Sequence, residues 1–182
     1  DFYRNSGGGV TLSGGEPLAQ PRFLLALLAA LRERELHVAL ETAGYAPPAT
    51  LAAAAPLVDL FLFDVKLIDP ARHRALTGRD NAPILDNLAA LAASRGGDVI
   101  VRLALIPGVN DDPQNLDAVA ALMHRLGLRR IDLSGYHSLG TEKYAMLGRE
   151  DPGVANPLVV DGAYLERQAQ GFFTAGLAVE FS

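Results

Sequence analysis

Two spacings of apolar residues take turns along the chain. Short apolar or β-branched runs bounded by glycine, proline or charge predict strands over residues 10–13, 37–41, 58–66, 98–106 and 130–136. Helical spacing fills the intervals. A helix is predicted over 21–33, where Pro21 suits a first turn and Leu24, Leu27, Leu28 and Leu31 form one stripe. Further helices are predicted over 48–55, 70–76 and 83–94, and the turn Pro107-Gly108-Val109-Asn110-Asp111-Asp112 caps another that runs to Leu126. A glycine- and proline-rich loop extends to Pro157, and a last helix and strand share residues 161–181.

Strands apolar on both faces and separated by helices imply a parallel sheet covered by right-handed crossovers. The fold class is therefore α/β, and a partial (β/α) barrel fits best. An open doubly wound sheet would show the same periodicity, so the rhythm alone does not choose between them. In both, ligands gather at the C-terminal ends of the strands. Past successive strands stand Gly14-Gly15-Glu16-Pro17, Glu41-Thr42-Ala43-Gly44, Asp64-Val65-Lys66, Pro107-Gly108 and Tyr136-His137.

Each group has an ordinary explanation, glycines as turn formers and charges as solvated strand ends, yet they recur at the same end of strand after strand. Gly14 and Gly15 let backbone approach a ligand closely, and Glu16 can accept a hydrogen bond from an ammonium group. Asp64 and Lys66, two apart in a strand, share one side, and Val65 points away. They either hold a ligand's hydroxyls and carboxylate or form an internal salt bridge. Arg102 in mid-strand needs a partner, Glu41 or Asp64, or a polar lumen. Among the histidines, His37 opens its strand at the wrong end and His73 and His124 sit in helices. His137 alone follows a strand.

Composition narrows the function. The 182 residues suit one domain, and 49% hydrophobic content supplies its core. The formal net charge of −5, spread along the chain, excludes a nucleic-acid footprint or a basic membrane-binding face. With no apolar run long enough to span a bilayer, a cytoplasmic protein is expected. The absence of cysteine excludes disulfides and thiolate metal sites within these residues.

Taken together, the stretch from Gly7 to Leu18, Glu41-Thr42-Ala43-Gly44, Asp64-Val65-Lys66, Arg102 through Ile106-Pro107-Gly108-Val109-Asn110-Asp111, and Tyr136-His137-Ser138-Leu139-Gly140 with Lys143-Tyr144 and Leu147-Gly148 resemble the glycyl-radical-enzyme activating proteins. These are radical S-adenosylmethionine enzymes of the pyruvate formate-lyase activating type, and the likeness covers nearly the whole chain. The resemblance implies that Gly14, Gly15 and Glu16 receive the methionine amino group, and that Asp64, Val65 and Lys66 contact the same cofactor. It also implies that His137 lies near the adenosyl part, and that Glu41, Thr42 and Asp64 hold a monovalent cation. It implies further a [4Fe–4S] cluster in a three-cysteine CxxxCxxC loop, an electron donor such as flavodoxin or ferredoxin, and a glycyl-radical enzyme as protein substrate in an anaerobic setting.

Because the cluster loop follows a first strand in that family, its absence implies that the first strand precedes Asp1 and that the chain alone is inactive. The segment from Asp1 to Ser6 resembles relatives with a ferredoxin-like insertion. Two other readings compete: a barrel enzyme forming a Schiff base on Lys66 with phosphate at Gly14-Gly15, and a cluster-less docking domain.

Overall fold

A computed structural model describes residues 8–135 and 160–182. Six strands form a single sheet: β1 (Gly9–Leu12), β2 (His37–Thr42), β3 (Leu60–Asp64), β4 (Val99–Leu105), β5 (Arg130–Gly135) and β6 (Ala178–Phe181). Every neighbouring pair is parallel, and the order across the sheet is the order along the chain. That order settles the question left open by periodicity. A doubly wound sheet reverses direction at a switch point, whereas here each crossover advances the same way, so crossovers of one hand all lie on one face. The result is a partial barrel, and β1 and β6 do not close it.

Among the described residues six α-helices connect the strands or flank them: α1 (Pro21–Arg32), α2 (Pro48–Ala54), α3 (Pro70–Thr77), α4 (Ala82–Arg95), α5 (Pro113–Leu126) and α6 (Gly162–Thr174). Four of them, α1, α2, α3 and α5, begin on proline, which has no amide hydrogen to leave unpaired there. Asp69, Asp112 and Asp161 cap α3, α5 and α6 by accepting the amides of Arg72, Asn115 and Tyr164. The acidic end of the 107–112 turn is thus a capping device.

The strand registers assign the two faces of the sheet. One face carries Val38, Leu40, Phe61, Phe63, Val99, Val101, Leu103, Leu105, Ile131 and Leu133, packed in one core with Leu24 and Leu28 of α1, Leu88 and Leu91 of α4, Val119 and Met123 of α5, and Phe172 of α6. The opposite face, the lumen, carries Glu41, Asp64, Arg102 and Asp132, with Asp64 opposite Arg102 and Arg102 opposite Asp132. The strands are therefore apolar toward the helices and increasingly polar toward the lumen.

Most predicted elements lie within a residue or two of the observed ones. β3 is the exception, shorter at both ends than 58–66. At its start a 3-10 turn, Ala55–Leu57, occupies the approach, and Val58 donates back to Ala55. At its end the Val65 amide makes one more bond, to the Arg102 carbonyl at 2.9 Å, after which side chains take over the backbone's partners.

Candidate functional site

The strand ends converge on a cleft of about 320 Å3 bordered by Glu16, Ala43, Asp64, Lys66, Tyr45 and Arg79. Its floor is set by Glu16. One oxygen of that carboxylate accepts the Leu18 amide at 3.0 Å and the Thr42 hydroxyl at 2.6 Å, and the other accepts the Ala43 amide at 3.0 Å. Glu16 thus pins the end of β1 to the end of β2 and leaves lone pairs on a carboxylate whose direction is fixed. Before it, Gly14 has φ +113°, which a side chain would strain, and a Cβ at Gly14 or Gly15 would meet nothing within 4 Å. The backbone there is open to a ligand.

Beyond β2 the chain turns at Gly44, with φ +69°. The Thr42 hydroxyl accepts the Gly44 amide at 2.9 Å, and the buried Asn87 carboxamide donates to the Gly44 and Ala46 carbonyls at 2.8 and 2.9 Å. A Cβ on Gly44 would lie 2.2 Å from Cζ of Phe63, so this turn is closed against the β3 core.

Inside the lumen Arg102 bridges two carboxylates, Glu41 at 2.8 Å and Asp132 at 3.0 Å. Asp132 also accepts the Ser182 hydroxyl at 2.9 Å, while its second oxygen is buried with no hydrogen-bond partner among the described residues. The guanidinium therefore pairs with Glu41 and Asp132, not Asp64. Asp64 feels Lys66 and Arg102 through space alone. Lys66 is exposed and borders the cleft, and Val65 is 2% exposed, its side chain in the core, so only the Val65 backbone can face a ligand.

Burial raises the Asp64 pKa above the ordinary carboxylate value. Lys66 and Arg102 oppose the shift, and Glu41 and Glu16 add to it. A carboxyl with a raised folded-state pKa weakens the fold while ionised and ceases to do so once protonated. Asp64→Asn is therefore expected to raise the melting temperature at neutral pH, with the advantage shrinking as pH falls through the raised pKa. Thermal unfolding of the two proteins across that window checks the sign; a lowered melting temperature at neutral pH would contradict it.

The other sequence candidates divide. Glu41 and Thr42 are engaged by Arg102 and Glu16, and among the described residues no group of three His, Asp or Glu side chains is placed to hold a metal ion, so their geometry lends no support to a cation site. His73 is buried, with Nδ1 2.9 Å from the Arg79 carbonyl, and has a structural role. His37 and His124 are exposed. Tyr136, His137, Lys143-Tyr144, Leu147-Gly148 and the segment from Asp1 to Gly7 lie outside the described residues.

Sequence reasoning passed over Asp132, although a charged residue between Ile131 and Leu133 is the same signal that singled out Arg102. It also passed over Asn81, Asn87 and Asn115, and took Asn110 as part of a turn, although all four are buried. Nothing in composition or spacing separates such residues from loop asparagines.

An open barrel of parallel strands, with a polar lumen and a cleft at the strand ends bordered by Glu16, Asp64 and Lys66, is a scaffold for a cofactor-dependent enzyme. The chain belongs to the radical SAM superfamily, whose family model matches residues 2–120. That family works with S-adenosylmethionine and a [4Fe–4S] cluster. The chain is 50% identical over 152 residues to the isethionate sulfite-lyase activating enzyme of Nitratidesulfovibrio vulgaris, an alignment covering 83% of this chain and 49% of that one. It is 45% identical over 170 residues to the choline trimethylamine-lyase activating enzyme of Oleidesulfovibrio alaskensis, covering 91% and 54%. The chain thus spans about half the length of these curated relatives. A crystal structure of a domain of a pyruvate-formate lyase-activating enzyme from Bacteroides vulgatus superposes with a TM-score of 0.76 at 26% identity, covering 96% of this chain and 99% of that one. No helix among the described residues is long and apolar enough to cross a membrane.

Proposed function

We propose that these residues form the S-adenosylmethionine-binding part of an activating enzyme that installs a glycyl radical on a partner enzyme. The observation that carries this reading is the state of Asp64 and Lys66: Asp64 ends β3, Lys66 follows two residues on, both border the cleft, and the ion pairs of the lumen run through Arg102 instead. A structural Asp64–Lys66 salt bridge would have closed the site. As it stands, Lys66 suits the methionine carboxylate or ribose hydroxyls, Asp64 and the Val65 backbone flank it, and Glu16 with the open Gly14-Gly15 backbone suits the methionine ammonium. His137 is proposed near the adenosyl group.

The residues present do not fit a [4Fe–4S] cluster, because its thiolate ligands require cysteine and the 182 residues contain none. In a polypeptide that also offered three thiolates, a cluster and the cofactor would together supply the radical chemistry. What this chain contributes is orientation: a carboxylate and open backbone past the end of β1 and an ammonium past the end of β3. The similarity to activating enzymes of isethionate sulfite-lyase and choline trimethylamine-lyase favours, as partner, a lyase of that kind over pyruvate formate-lyase. Flavodoxin or ferredoxin as electron donor and an anaerobic cytoplasm complete the reading.

The test is made in a polypeptide that joins these residues to a three-cysteine loop, reconstituted anaerobically with iron and sulfide. Lys66→Ala is expected to weaken S-adenosylmethionine binding by about tenfold to a hundredfold, roughly 1.5–3 kcal/mol, with the fold intact. Calorimetric titration and thermal unfolding of the same variant decide it. Unchanged affinity with a large loss of stability would overturn the assignment.

A further inference from the structure

Where β3 ends, the backbone of residues 66–68 leaves the sheet while still enclosed by protein. Buried amides and carbonyls without a neighbouring strand must find other partners. Three carboxamides from three different elements supply them. Asn110, in the turn after β4, and Asn115, in the first turn of α5, both donate to the Lys66 carbonyl at 3.3 Å. Asn81, just before α4, donates to the Leu67 and Ile68 carbonyls at 3.0 and 2.9 Å. The Asn115 side-chain oxygen accepts the Ile68 amide at 3.0 Å.

The three are anchored in turn. Asn115 also donates to the Asn110 carbonyl at 2.9 Å, and Asn110 donates to the Ala104 carbonyl at 2.8 Å while accepting the Ile106 amide at 2.7 Å. All are buried, at 2–3% exposure. Only a carboxamide offers donors and an acceptor at that reach. Aspartate would lose both donated bonds, and serine is too short.

We infer that Asn115, supported by Asn110 and Asn81, is a positioning residue that fixes the direction of Lys66. The side chain of Lys66 projects to the cleft while its own carbonyl is held from below, so the Cα–Cβ direction follows from the anchored peptide plane. A long, mobile ammonium gains a defined starting point, which is what a site needs to hold a ligand in one orientation. The inference rests on the assignment of Lys66 to the cofactor and goes beyond it, since nothing in that assignment requires these asparagines.

The test compares Asn115→Ala with Leu122→Ala, a core truncation two turns further along α5. In the 182-residue protein, hydrogen exchange of the Ile68 amide is expected to quicken about tenfold or more in Asn115→Ala relative to Leu122→Ala at matched loss of melting temperature. In the reconstituted protein, Asn115→Ala is expected to weaken S-adenosylmethionine binding about tenfold, with Leu122→Ala leaving it unchanged. The Asn115→Ala/Lys66→Ala double variant is expected to bind no more weakly than Lys66→Ala alone, because a residue that acts through Lys66 has nothing left to position. Unaltered Ile68 exchange, full affinity in Asn115→Ala, or effects that multiply in the double variant would each overturn the inference while leaving the Lys66 assignment in place. Full affinity in Lys66→Ala would overturn both.

Discussion

Arg102→Leu is expected to destabilise the fold by about 3 kcal/mol, read from urea unfolding. The substitution removes the one cation that bridges Glu41 and Asp132, whose side chains are 34% and 11% exposed. Breaking a buried pair by deleting one partner usually costs about 3–5 kcal/mol, because the remaining charge is left desolvated and uncompensated. Glu41 keeps contact with water, which places the expectation at the lower end. Asp132 is far more enclosed, and one of its oxygens is buried with no partner among the described residues. Adding Asp132→Asn to Arg102→Leu is therefore expected to restore more than half of the loss. A loss below about 1 kcal/mol would mean that the lumen solvates Asp132 well enough to treat the pair as a surface one.

Gly44→Ala is expected to cost about 2–5 kcal/mol in the same measurement. Two effects add: a side chain at φ +69° carries about 1–2 kcal/mol of backbone strain, and a methyl group 2.2 Å from the Phe63 ring forces repacking worth about 1–3 kcal/mol. The backbone cannot swing clear, because Thr42 holds the Gly44 amide and Asn87 its carbonyl. Phe63→Leu in the alanine background relieves the contact and leaves the strain, so partial recovery separates the two causes. Since Thr42 also binds Glu16, the displacement is expected to reach the cleft. A loss under about 1 kcal/mol would show that the turn is looser than its hydrogen bonds indicate.

How much of this was legible in the sequence depends on how local the cause is. The apolar runs and proline-led helices are written in neighbouring residues, and β2, β4 and β5 fall within a residue or so of where periodicity puts them. The choice of a partial barrel was not local, for it follows from strand order, which only long-range pairing fixes. The likeness of motifs supplied that choice in advance. Asp64 and Lys66 were placed together by the two-residue repeat of a strand, but β3 ends at Asp64, and what the two share is the border of the cleft. The partner of Arg102 was half legible: Glu41 was named, whereas Asp132 required knowing that β4 and β5 pair with those two positions opposite. The role of the asparagines was not legible at all, even for Asn110, which was read as part of a turn. Their role is to satisfy backbone groups dozens of residues away, and such groups become unsatisfied only when β3 ends at Asp64 instead of running on to Lys66.

Because strand order in space repeats strand order in time, the sheet suits synthesis from one end. As the ribosome delivers each strand, the edge it pairs with has already been made. No strand in the described residues must wait for a partner translated much later, and none must wedge itself between two that have already joined. At roughly 5–20 residues per second and about 30 residues per strand–helix unit, a nascent edge stands bare for on the order of a few seconds before its neighbour arrives. The same arrangement that lines up the lumen charges therefore also limits how long sticky edges are offered to other nascent chains.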